Sequence, residues 1–109
     1  MEEKRKHQRA RAYSKIKLSN SREALQVDGF IENVSEGGLG IASPNLIAVG
    51  TILTCTFSLD GKDEKITTLG TPVHIKKDAN SFFYYGVRFE HIAEPYQCLI
   101  REYIKKHPV

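Results

Sequence analysis

Two stretches of this chain carry residue types whose spacing suits the binding of an anion. The first is KRKHQRAR at residues 4–11, the most basic run, in which Arg5 and Arg9 stand four apart and Arg11 follows. A guanidinium offers a planar fork that grips a phosphate or the O6/N7 edge of a guanine, and a flat face that stacks on a base. The second is NVSEGGLGI at residues 33–41. Asn33 and Ser35 have short polar side chains that bond to neighbouring backbone or to a ligand. Gly37 and Gly38 tolerate positive φ and leave their N–H groups uncovered by a Cβ, and successive N–H groups in such a turn can form an anion-binding nest. Each stretch also has a plainer reading. The arm can be a solvated tail, and N-x-S with glycines is ordinary turn chemistry.

The elements that must position these residues show in the hydropathy pattern. From Tyr13, YSKIKLS sets Ile16 and Leu18 on one face and Lys15 and Lys17 on the other, the period of a half-buried strand. ALQVDGFIENV continues as a strand, with Gly29 marking a bulge or a close approach. LGIAS is a short strand ended by Pro44. TILTCTFSL alternates, with Leu53, Cys55, Phe57 and Leu59 pointing one way, and Asp60-Gly61 signals a turn. KITTLGTPVHIKK reads as a strand interrupted near Gly70 and Pro72, and FFYYGVRFEHI as the strongest strand of all. The period then changes. Ile92, Tyr96, Leu99, Ile100, Tyr103 and Ile104 fall on one face of a helix over about 93–107, with Pro95 in its first turn and Lys105 and Lys106 in its last. Six short strands and a closing helix predict a mainly β fold, a small antiparallel barrel with the helix over one opening.

Charge is unevenly placed. Residues 1–22 hold eight Lys/Arg against two Glu, and residues 23–109 hold eight against eleven Asp/Glu, so the net charge of +3 comes from one end. Such an end attracts nucleic acid, a nucleotide, phosphate or a membrane face. At 109 residues, 40% hydrophobic and 27% charged, the chain suits one globular domain. No apolar run reaches the roughly 20 residues of a membrane helix. The first residues lack the apolar stretch of a secretory signal. A cytoplasmic protein without membrane insertion is therefore expected. Cys55 and Cys98 form no C-x-x-C pair and read as buried apolar residues rather than a disulfide. The four histidines lack metal-ligand spacing, and no nucleophile elbow, Walker A loop or G-x-G-x-x-G occurs. With no base assignable to Ser35, the pattern points to a binding module and not an enzyme, with no metal and no cofactor.

An arm presenting Arg5 and Arg9 against a rigid turn presenting Asn33 and Ser35 would hold a guanine nucleotide from two sides. R-x-x-x-R at Arg5–Arg9, followed after a strand pair by N-x-S-x-x-G at Asn33, Ser35 and Gly38, resembles the PilZ domain family. The YYGVRF strand and the closing amphipathic helix resemble it too, so the likeness runs over nearly the whole chain. The resemblance implies a bacterial six-stranded PilZ-type barrel that binds cyclic di-GMP. It implies that Arg5 and Arg9 hold guanine and phosphate, while Asn33, Ser35 and Gly38 contact the other guanine and the ligand backbone. Lys4, Gly37 and His74 are secondary candidates. One departure concerns Asn33, where Asp is the commoner residue. A carboxylate accepts from both the N1–H and the N2–H₂ of guanine, whereas a carboxamide supplies one acceptor oxygen and an NH₂ that must turn elsewhere.

The expected organisation is a mobile basic arm over residues 1–12 and a barrel with its helix over 13–109. A dianionic ligand would clamp the arm, whose like charges crowd one another, against the turn. A bare binding module has no output of its own, so an unidentified protein partner downstream is implied. Two other readings compete. A PilZ-like interaction module without nucleotide is opposed by the intact Arg5, Arg9, Ser35 and Gly38. A barrel binding single-stranded nucleic acid would use the arm and stack bases on Phe82, Phe83, Tyr84, Tyr85 and Phe89. The acidic remainder opposes a broad phosphate-tracking groove, and core and strand packing explains those aromatics more simply. Arg88 reads as a strand-surface residue.

Overall fold

Apolar and polar residues alternate along six segments, giving each strand one face for a core. The computed structural model describes residues 9–59, 64–77 and 81–107. Its strands are β1 (Arg9–Asn20), β2 (Leu25–Ser35), β3 (Gly38–Ser43), β4 (Leu53–Phe57), β5 (Ile66–Lys77) and β6 (Phe83–His91), followed by helix α1 (Glu94–Lys106). The strands close in the order β1-β2-β3-β6-β5-β4, each neighbouring pair antiparallel. This is the expected six-stranded antiparallel barrel with a C-terminal helix. None of the described helices is long and apolar enough to cross a membrane.

Strand β1 opens at Arg9, ahead of the Tyr13 start that its lysine-flanked pattern marks. The physical reason is Ala10 and Ala12, two small residues that alternate with arginines and are buried in the core. Residues 9–12, read from sequence as arm, thus belong to the barrel sheet. Lys4 and Arg5 lie outside the described residues.

Ile16, Leu18, Ile31, Leu39, Ile41 and Leu53 are buried to 1% exposure or less, and Ile100 joins them from α1. Each such aliphatic side chain contributes about 1.5–3 kcal/mol on full burial. Helix α1 buries Ile100, Tyr103 and Ile104 and leaves its opposite side, including Cys98 and Arg101, exposed. Its first turn carries Glu94 and Pro95 and its last Lys105 and Lys106, which suits the helix dipole. The two thiols differ, against the expectation that both are buried. Cys55 is buried in β4, where loss of solvent pushes its thiol up to about 12, whereas Cys98 faces outward on α1. Both are free.

Two pairing irregularities aim side chains at the site. Ile31 faces Ile41 and Asn33 faces Gly40, so Glu32 is an extra residue in β2. Ile31 and Val34 point into the core, and Glu32 and Asn33 both fall on the outer side. In β5, Pro72 faces Val87 and His74 faces Gly86, leaving Val73 extra, and Val73 and His74 are both exposed. A bulge re-aims a strand in this way.

Candidate functional site

The turn joining β2 to β3 is built around the Ser35 hydroxyl. Its Oγ accepts from the N–H groups of Gly37 and Gly38, both at 3.2 Å, and the hydroxyl donates to the Gly38 carbonyl at 3.4 Å. Ser35 is 5% exposed, and its bonds with Gly38 form away from solvent while that with Gly37 is half-buried. The two glycine N–H groups are therefore engaged within the turn and do not form an open anion nest. The Gly37 carbonyl accepts from the Phe89 N–H at 2.9 Å, which pins the turn to β6. Gly38 is required by proximity. A Cβ there would lie 2.0 Å from the Val87 carbonyl oxygen and 3.2 Å from the Arg88 Cα. Among the described glycines only Gly50 has positive φ, so left-handed backbone is not the reason for Gly38.

The outer surface beside the turn is a row of five positions that share a face. Arg11 stands opposite Asn33, Asn33 opposite Gly40, Gly40 opposite Gly86, and Gly86 opposite His74. The two glycines make a floor, because a Cβ at either would have to displace the side chain that lies over it. A Cβ on Gly40 would meet the Asn33 carboxamide at 2.7–3.0 Å, and one on Gly86 would meet the His74 ring at 2.1–2.9 Å. Asn33 and His74 thus lie over the floor from opposite sides. One row along, Arg88 stands opposite Gly38, exposed and paired with Glu90 at 3.3 Å. The backbone of Arg9 is opposite Ser35. The end of the R-x-x-x-R motif and the serine of the N-x-S-x-x-G motif are therefore neighbours on adjacent strands. Such a face, with guanidinium groups at its margin and a flat centre free of Cβ atoms, suits a planar anionic ligand.

The family model of the PilZ domain matches residues 3–106. This chain belongs to the PilZ domain family. The sequence matches no curated protein. Among solved structures, the PilZ domain of YcgR from Escherichia coli with c-di-GMP is similar at 11% identity and a TM-score of 0.76, over 96% of this chain and 92% of that one. The Bacillus subtilis inhibitor of motility MotI/DgrA is similar at 17% identity and a TM-score of 0.79, over 96% and 52%. The K. pneumonia MrkH–c-di-GMP complex is similar at 15% identity and a TM-score of 0.78, over 97% and 53%. At these identities the likeness is one of fold, and the chain spans about half the length of the MotI and MrkH chains.

In this PilZ domain, helix α1 touches both sides of the motif face. Arg101 donates from Nε and Nη2 to Glu36 Oε1 at 3.2 and 3.1 Å, which ties the helix to the turn and holds the guanidinium pKa above its ordinary value. The Tyr103 hydroxyl donates to the Arg11 carbonyl at 2.7 Å, which ties the helix to β1. Asn33, Ser35, Gly37, Gly38 and His74 are brought within one corner of the barrel, next to the Arg9 backbone. Arg11 and Arg88 join that face although neither belongs to the two motifs. Strand parity alone signals Arg11, since it alternates with buried alanines. Nothing local signals Arg88, whose place depends on β6 lying beside β3. Three of the five aromatics of the Phe82–Phe89 run are taken up by packing. Tyr85 and Phe89 are buried and Phe83 packs on the core.

Proposed function

We propose that this PilZ domain is a cytoplasmic receptor that binds cyclic di-GMP between the Arg5–Arg9 arm and the face beside the Asn33–Gly38 turn, and acts on a protein partner. The observation that carries the reading is the β1–β2 register, in which Arg9 stands opposite Ser35 and Arg11 opposite Asn33. Membership of the PilZ family and the c-di-GMP complexes of YcgR and MrkH support it. Arg5 and Arg9 supply forks and stacking faces for guanine and phosphate, with Lys4 adding charge. The Asn33 carboxamide oxygen accepts from the other guanine edge. Ser35 and Gly38 act as positioning residues that set the turn from which Asn33 and Gly37 are presented, and His74 offers a ring at the far side of the glycine floor. Binding a dianion relieves the crowding of like charge between Lys4 and Arg11 and draws the arm to the turn. The role is recognition, without a catalytic step. Two free thiols suit the reducing interior of a bacterial cell.

Calorimetric titration with cyclic di-GMP tests the reading. Arg5→Ala and Arg9→Ala should each weaken binding at least tenfold, about 1.4 kcal/mol. Arg5→Lys should not restore it, because the fork and the flat face are lost. Cyclic di-AMP should bind far more weakly, since its N6 amine donates where guanine O6 accepts. Wild-type affinity in Arg5→Ala, or equal affinity for both dinucleotides, would overturn the assignment. A nucleic-acid binder would instead show steep salt dependence and no particular response to the dinucleotide.

A further inference from the structure

The seam that closes the barrel is shorter than the strand it closes on. Strand β1 pairs with β2 from Arg9 to Asn20, but with β4 only from Ile16 to Ser19. Beyond the Ile16–Phe57 pair, a groove of about 540 Å³ opens between β1 and the chain that follows β4. Tyr13, Lys15 and Lys17 line it from β1, and Ser58 and Lys65 from the other side, with Asp28 the one carboxylate among its described lining residues. All three lysines are exposed. The ion pairs Arg88–Glu90 and Arg101–Glu36 involve none of them. Among the described lining residues, three ammonium groups against one carboxylate favour an anionic occupant over a range of about 8–10 Å at physiological salt.

The backbone adds a second requirement on that occupant. Over Tyr13–Lys15 the β4-facing edge of β1 has no strand partner among the described residues. Such an edge is a template for an added strand. We propose that this groove docks an extended acidic segment of a protein partner, which pairs with the edge of β1 while its carboxylates meet Lys15, Lys17 and Lys65. A polynucleotide would use the charge and leave the edge unpaired. It would also need aromatic faces to stack on, whereas Phe57 is 2% exposed and Tyr13 alone among the lining aromatics is open, at 76%. The groove adjoins the motif face. Arg11 Nη1 donates to the Tyr13 hydroxyl at 3.1 Å, and Arg11 stands opposite Asn33. The inference rests on the reading that the domain signals through a protein partner, and gives that partner its chemistry.

The test titrates the ¹⁵N-labelled full chain with an acetylated peptide of alternating glutamate and valine, and follows the backbone amides. Saturable shifts confined to residues 13–17 and 56–58, with at least tenfold weaker binding by the double variant Lys15→Glu/Lys17→Glu, are the expected result. The same peptide N-methylated at alternate residues should lose binding, because strand addition needs its N–H groups. A melting curve of the double variant confirms that it folds, and its calorimetric affinity for cyclic di-GMP reports the nucleotide site separately. If nucleotide binding fails in both proteins while the peptide still docks, the receptor reading falls and the docking surface stands. No groove shifts at millimolar peptide, or equal affinity in the double variant, would overturn the proposal. Tighter binding of a single-stranded oligonucleotide to the same amides would also overturn it.

Discussion

A methyl group placed on Gly38 probes the contact that holds the motif turn against the barrel. In Gly38→Ala the new Cβ would stand 2.0 Å from the Val87 carbonyl oxygen, 3.1 Å from the Val87 carbonyl carbon and 3.2 Å from the Arg88 Cα. All three are backbone atoms, so no side chain can rotate away. Ordinary contact begins at about 3.4 Å, so β3 and β6 must part locally by about 1.4 Å, the difference between 3.4 and 2.0. That separation strains the Gly38–Arg88 pairing and the Phe89 N–H bond to the Gly37 carbonyl, now 2.9 Å. Leaving one or two buried backbone groups unpaired costs about 1–3 kcal/mol each. We therefore expect a loss of about 3 kcal/mol, a large share of the 5–15 kcal/mol typical of a domain. At about 4–8 °C per kcal/mol for a chain near this size, the melting midpoint should fall by about 12–24 °C. Circular dichroism melts of wild type and variant measure this directly. Gly50→Ala is the control, since Gly50 has φ +94 and open space around it. Its cost should stay near the roughly 1–2 kcal/mol per residue of left-handed backbone. A Gly38→Ala midpoint within about 2 °C of wild type would refute the close-approach argument.

Ser35→Ala removes the acceptor of the half-buried Gly37 N–H and the buried Gly38 N–H, so it should lower stability by about 1–3 kcal/mol in a chemical-denaturation curve. The resemblance implies that Ser35 contacts the ligand, and the engaged hydroxyl adds a structural role that the stability curve reads. Asn33→Asp should hold or raise affinity for cyclic di-GMP in a calorimetric titration, because a carboxylate accepts from both donors of the guanine edge. A weaker complex would mean that repulsion from the phosphates dominates. Reaction with a maleimide at neutral pH should label Cys98 and spare Cys55, whose thiol, pushed up to about 12 by burial, stays protonated. Mass spectrometry of the labelled peptides reads the outcome.

Local chemistry made the strand pattern, the closing helix and the two motifs legible from sequence. Alternation along Leu53, Cys55, Phe57 and Leu59 fixes which side of β4 is buried, because successive side chains of a strand point to opposite faces. The helix face through Ile100, Tyr103 and Ile104 is readable for the same kind of reason, a period of 3.6. The interruption expected near Gly70 and Pro72 appears as shifts of register on both sides of that pair. What depends on two distant segments meeting was not legible. No local signal says that β3 lies beside β6, and only that neighbourhood makes Gly38 necessary and brings Arg88 to the motif face. Residue type leaves the Ser35 hydroxyl open to backbone or to ligand, and the fold turns it inward onto the glycine N–H groups. The extra residues Glu32 and Val73 decide that Asn33 and His74 face outward, and a bulge exists only relative to a partner strand. Likewise the seam between β1 and β4 ends at Ile16, short of the strand's own start, because barrel closure depends on the lengths of two strands at once. Periodicity and turn chemistry act over a few residues and are written in the chain. Register, closure and close approach are properties of pairs, and they arise when the chain has folded.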